Sequence, residues 1–115
     1  QLDNEVLDIH YAHLKERPFF KQLKESMMAS PVVVQCWQGV DAVKVVRTLI
    51  GKTNGREAQP GTVRGDFAVS AQENIVHASD SAESAEIELE RFFTKNEIFK
   101  YKPIIFANLY GNDEI

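Results

Sequence analysis

Apolar positions recur at helical spacing along most of the chain, interrupted by two short apolar runs. Leu2, Val6 and Ile9 share one face, with Leu7, Tyr11 and Leu14 alongside, which predicts a helix over Leu2–Leu14. Asp3 and Glu5 suit its first turn. Pro18 is placed for the first position of a second helix that runs to about Ala29, striped by Phe19, Phe20, Leu23 and Met27. Ser30-Pro31 ends it. Adjacent aromatics on a helix face different ways, so one of Phe19 and Phe20 is expected at the surface. Val32–Trp37 is nearly all apolar and predicts a central strand covered on both faces. Asp41 then caps a third helix, Ala42–Ile50, stopped by Gly51. Its Val43, Val46 and Ile50 face inward, while Lys44 and Arg47 lie on another face.

Residues 51–73 break the pattern. They hold Gly51, Gly55, Pro60, Gly61 and Gly65 and show no period apart from a short Phe67-Ala68-Val69. A loop this long in a small domain is either functional or disordered. Asn74–Ala78 follows as a second buried strand, ending on His77. Asp80 and Glu83 form a capping box for a helix from Ser81 to Phe93 that buries Ala85, Leu89 and Phe92. Thr94 and Glu97 form a second box opening a short helix, Lys95–Phe99. Lys102 onward is an irregular tail, residues 102–115. Its Ile104, Ile105, Phe106, Leu109 and Tyr110 are too apolar to float free, so it packs on the domain or on a neighbouring subunit.

The 115 residues suffice for one small domain, 1–115, and the 43% hydrophobic content is enough for a real core. A formal charge of −4 leaves no broad electrostatic footprint for nucleic acid, although clustered arginines bind a phosphate whatever the total charge. No apolar stretch has the length of a membrane span and no signal peptide opens the chain. The single cysteine, Cys36, forms no disulfide framework. A reducing, cytoplasmic setting is expected, with no membrane partner.

Candidate chemistry centres on His77, at a strand end beside a helix N-terminus, where backbone N–H groups and the helix dipole favour an anion. An imidazole there is suited to act as nucleophile or proton shuttle; the plain alternative is a packed or surface histidine. His10 and His13 have no cysteine or carboxylate cluster nearby in sequence, so both read as surface residues and no metal ligand set is assigned. Arg64-Gly65-Asp66 spells an adhesion-type tripeptide that arises easily by chance.

Helix, helix, strand, helix, long loop, strand, helix is an incomplete α+β layout, because two strands alone make no stable sheet. Several blocks, taken together, resemble the nucleoside diphosphate kinase family: His10-Tyr11, Arg17-Pro18-Phe19-Phe20, Pro31-Val32-Val33 leading to Trp37, Gly51-x-Thr53-Asn54, Pro60 to Phe67 and Asn74 to Ala85. Order and spacing fit from about residue 1 to 101, and the last two blocks are highly specific.

The resemblance implies a ferredoxin-like antiparallel sheet covered by helices, and a ping-pong transfer of the γ-phosphoryl group from a nucleoside triphosphate to a diphosphate. His77 matches the histidine that carries the phosphate. Glu88 and Ser79 match the residues that orient it, and Tyr11 a tyrosine lining the site. Arg47, Thr53 and Arg64 match ligands of the distal phosphates, Phe19 the platform for the base, and Asn74 the contact to the ribose hydroxyl. Family members use Mg2+ held mainly by nucleotide and water. They assemble as tetramers or hexamers built from a common dimer.

The family pattern opens with a strand, helix and strand and a Lys-Pro-Asp motif that do not appear in these residues; the expectation is an N-terminally shortened sequence. The runner-up is a member of the same family that binds nucleotide or serves as a scaffold without turnover. Gly55 stands where many relatives have a proline at or near that position, which predicts a looser loop. Ala71 replaces a larger apolar residue beside the base.

Overall fold

The computed structural model describes residues 1–101 and 103–114; Lys102, Ile115 and the side chains of Phe106 and Ala107, and what is expected of them as part of the tail, lie outside the described residues. The described helices are α1 Asn4–His10, α2 Phe20–Met28, α3 Ala42–Ile50, α4 Val63–Phe67 and α5 Ala82–Phe92, with 3-10 turns at Ala12–Leu14, Gly55–Glu57 and Ile104–Asn108. None is long and apolar enough to cross a membrane.

α1 is shorter than its pattern. Asp3 is its N-cap, accepting from the Val6 N–H at 2.9 Å. The helix unwinds at Tyr11 into the 3-10 turn. Its buried residues are Leu7 and His10, three apart on one face, whereas Ile9 is exposed. His10 is therefore an interior residue and not the surface residue expected.

α3 has the predicted bounds, with Ile50 buried and Gly51 at φ +83° as its C-cap. Asp41 precedes it at φ 51° with no side-chain cap bond. The α5 cap also differs from expectation. Ser81, not Asp80, is the N-cap, and its Oγ accepts from the Ser84 N–H at 3.0 Å. The second expected box closes only a turn. Glu97 Oε2 accepts from the Thr94 N–H at 2.8 Å and from Thr94 Oγ1 at 2.9 Å, and no helix forms over residues 95–99.

Among the described residues no strand forms, so the sheet expected from Val32–Trp37 and Asn74–Ala78 is not seen. A strand needs a neighbour to receive its N–H and C=O groups. Residues 31–38 enter no backbone hydrogen bond among the described residues, and Val33 and Trp37 are exposed. Asn74–Ala78 is diverted for a different reason. Ile75 is left-handed at φ 73°, and the Asn74 and Val76 carbonyls accept from Arg64. The radius of gyration is 16.1 Å, against about 13 Å for a compact chain of this length.

The 51–73 loop is ordered from within. Thr62 Oγ1 caps α4 by accepting from the Gly65 N–H at 3.1 Å, and donates to the Gln59 carbonyl at 2.6 Å. Asp66 Oδ1 accepts from the Gly61 N–H at 2.7 Å. α4 packs on α3 and on the Gly55–Glu57 turn. Gly55 does not loosen this loop. It is buried, its N–H donates to the Ser70 carbonyl, and a side chain there would strike the Ala68 backbone. The tail returns to the domain through Tyr110, whose hydroxyl accepts from the Val40 N–H at 3.2 Å. Ile104, Ile105 and Leu109 remain exposed.

Candidate active site

α5 and the segment before it build the centre of the site. Capping at Ser81 starts α5 immediately after residues 74–80, so Glu88, two turns into the helix, comes back beside His77. His77 Nε2 lies 3.1 and 3.2 Å from the two Glu88 carboxylate oxygens. Ser79 Oγ donates to Glu88 Oε2 at 2.6 Å. The His77 side chain is 41% exposed, so its ring is open to solvent. Nδ1 makes no hydrogen bond among the described residues. Burial pushes the Glu88 carboxyl up, but the hydrogen bonds from Ser79 and His77 outweigh it and hold the carboxyl below its ordinary range. Glu88 is thus a carboxylate at neutral pH, and the His77 nitrogen facing it is the one that carries a proton.

Two guanidinium groups flank His77. Arg64 Nη2 donates to the Val76 carbonyl at 2.6 Å, one residue before it, and Arg47 Nη1 to the Ala78 carbonyl at 3.3 Å, one residue after it. Arg64 is buried and also donates to Gly51 and Asn74 carbonyls, at 3.2 and 3.3 Å. Burial, and then the charge of Arg47, push its pKa down. A guanidinium has five N–H donors, so Arg64 supports the backbone and still has donors to offer. Its burial removes the adhesion reading of Arg64-Gly65-Asp66.

Tyr11 stands beside the pair, its ring centroid 6.4 Å from that of His77. Burial, with Glu88 nearby, pushes its hydroxyl pKa up, so it stays protonated. Asn74 Nδ2 donates to the Thr53 and Ala71 carbonyls, both at 3.0 Å, which ties two of the expected residues together. Thr53 is exposed. Phe19 stands apart: it is exposed at the start of α2 and pairs with no other ring among the described residues. An open depression of about 780 Å3 beside Arg47 also touches Lys44, Thr48 and Asp80.

Two residues were not picked out from the sequence. His10 is buried against His77, and Arg91 Nη1 lies 2.7 Å from His10 Nδ1. Glu88 and Arg91 are three apart on α5 and hence share a face, which is the signal that points to Arg91.

The sequence model of one family, described as nucleoside diphosphate kinase, matches residues 1–98. A nucleoside diphosphate kinase of Parabacteroides distasonis is 62% identical over 113 residues, covering 98% of this chain and 74% of that protein. Nucleoside diphosphate kinase B of Bos taurus is 44% identical over 110 residues, covering 96% of this chain and 72% of that one. The solved structure of a halophilic nucleoside diphosphate kinase from Halobacterium salinarum in complex with CDP superposes with a TM-score of 0.93 at 34% identity, over 96% of this chain and 74% of that chain. The described fold is therefore that of these enzymes, and the chain belongs to the nucleoside diphosphate kinase family.

Proposed function

We propose that this nucleoside diphosphate kinase works through a phosphohistidine at His77. The observation that carries the reading is the Nε2 contact with Glu88 on a partly exposed ring, which leaves Nδ1 without a hydrogen bond among the described residues, while Arg47 and Arg64 hold the carbonyls on either side of His77. The Nδ1 lone pair attacks the γ-phosphorus of a nucleoside triphosphate. The bond from that phosphorus to the β–γ bridging oxygen breaks, and the nucleoside diphosphate leaves with the electron pair. The ring's positive charge is offset by Glu88, which Ser79 holds in place. A terminal oxygen of a second diphosphate then attacks the phosphorus and the N–P bond breaks, restoring the neutral imidazole.

Arg47, Arg64 and Thr53 bind the distal phosphates, compensating oxygen charge as phosphoryl transfer requires. Tyr11 lines the site. Asn74 keeps its amide oxygen for a ribose hydroxyl. Phe19, exposed, offers a face for any base, so specificity across purines and pyrimidines is broad. His10, His77 and Glu88 bring ligand atoms within 4.8 Å of one another, but this nitrogen-rich set does not suit Mg2+, which prefers oxygen ligands. Magnesium therefore enters with the nucleotide's phosphates, as part of the substrate.

The chain is one domain, and Val32–Trp37 is read as a strand of the ferredoxin-like antiparallel sheet once another strand covers its edge. The exposed Ile104, Ile105 and Leu109 suit subunit contacts in a homo-oligomer built from dimers. The lone free cysteine fits the cytoplasm. Initial-velocity measurements with ATP and a second nucleoside diphosphate test the reaction: parallel double-reciprocal lines are expected. Tight nucleotide binding without exchange would instead favour a binding module.

A further inference from the structure

No residue of α2 is buried, so packing alone does not set the place of this helix. Polar contacts hold it. Lys24 Nζ donates to Asp8 Oδ1 at 2.5 Å and stands 5.4 Å from the centroid of the Phe20 ring, which ties α2 to α1. Ser26 Oγ donates to Glu73 Oε2 at 2.5 Å. Among the described residues this is the one hydrogen bond that joins α2 to residues 51–78. The turn that carries Glu73 is ordered from within. Ser70 Oγ accepts from the Gln72 and Glu73 N–H groups, both at 3.1 Å, and Asn74 Nδ2 donates to the Ala71 carbonyl at 3.0 Å. One bond thus joins a lightly packed helix to a turn that is already fixed.

Phe19 shares the register of α2, because the Leu23 N–H donates to its carbonyl at 2.9 Å. Ser26 follows Phe19 by almost two full helical turns, so it lies on the same side about 10 Å along the axis. Leu23, half-buried, lies between them on that side. Phe19 is therefore on the side of α2 that faces the 70–74 turn, whose Ala71 and Asn74 are read as neighbours of the base and the ribose. The small Ala71 side chain leaves that wall shallow, so little but the Ser26–Glu73 bond sets the width of the gap. We propose that Ser26 and Glu73 form a latch across the base-binding gap, two positioning residues that hold the Phe19 ring close to the Ala71 turn and so raise the affinity for the base. This rests on the reading of Phe19 as the platform for the base.

The test compares the binding of ADP with that of ribose 5-diphosphate, which has the sugar and both phosphates but no base, by calorimetry on the protein. ADP should bind more tightly, and the ratio of the two dissociation constants reads the contribution of the base. Phe19→Ala should reduce that ratio, because the stacking face is gone. Ser26→Ala and Glu73→Ala should each reduce it by roughly three- to tenfold, the range that the net contribution of one hydrogen bond allows, with ribose 5-diphosphate bound as in the wild type. The double variant should lose no more than either single one, since both remove the same bond. Ser26→Thr, which keeps the hydroxyl, should keep the ratio. Glu73 is exposed, so its variant tests the latch even where Ser26→Ala does not fold. A wild-type ratio in Ser26→Ala and Glu73→Ala where Phe19→Ala lowers it, or an equal loss for both ligands, would overturn the latch. A wild-type ratio in Phe19→Ala would instead refute the platform reading, and the latch with it.

Discussion

His77 Nε2 faces both carboxylate oxygens of Glu88, at 3.1 and 3.2 Å. That contact occupies Nε2 and leaves Nδ1 without a hydrogen bond among the described residues. Glu88→Gln keeps the shape and removes the charge. A hydrogen bond to a charged group is worth about 1.5–3 kcal/mol, so kcat should fall by roughly ten- to a hundredfold with KM nearly unchanged. Ser79→Ala removes the hydrogen bond that lowers the Glu88 pKa, so the acid limb of the rate profile should move to higher pH. Steady-state rates over a pH series check both.

Arg64 and Arg47 should separate when stability and kinetics are measured together. Arg64 is buried and donates to three carbonyls, whereas Arg47 is exposed and donates to one. The three acceptors are half-buried, and each hydrogen bond to them contributes about 0.5–1.5 kcal/mol. Arg64→Ala should therefore lower stability by about 1.5–4.5 kcal/mol, and Arg64→Lys should rescue little because an ammonium lacks the planar fork. Arg47→Ala should leave the denaturation midpoint close to wild type and raise the KM for nucleotide.

Gly55→Ala tests the packing of the ordered loop. The added methyl group meets the Ala68 backbone, which cannot turn aside as a side chain can. A loss of about 1–3 kcal/mol is expected in denaturant titrations. A neutral or stabilising outcome would mean that the Gly55–Glu57 turn moves freely against α4.

Acid should weaken the fold in a defined window. His10 is neutral when folded, with a pKa of about 4, against 6.5 for the free side chain. Between those values the unfolded chain binds more protons, so stability falls as pH drops from about 6.5 to about 4. The Glu88 pKa is also lowered, and its contribution is present above the ordinary carboxylate value and lost below it. Denaturant midpoints should be flat from pH 7 to 8 and decline below 6.5, less steeply in His10→Phe.

The helical part of the fold was legible wherever period and stop signals agreed. α3 has the predicted bounds because Gly51 ends it sharply, and α5 differs by one residue at each end. α4 was invisible: five residues containing Gly65 carry no period, and the helix exists through the Thr62 cap and packing on α3. The strands failed because apolar content shows the capacity to pair but supplies no partner. Within the site, the pairing of Ser79 and Glu88 with His77 is implied by the resemblance to the family and not by any local pattern. The inward turn of His10 depends on where α1 unwinds, at Tyr11, and that was not readable from composition.

Labelling with nucleotide tests directly which side chain accepts phosphate. The protein, incubated with ATP labelled at the γ-position, should take up acid-labile, base-stable label in the absence of an acceptor, release it to added nucleoside diphosphate, and take up none as His77→Gln. Label that persists in His77→Gln, or that survives acid, would contradict a phosphohistidine at His77.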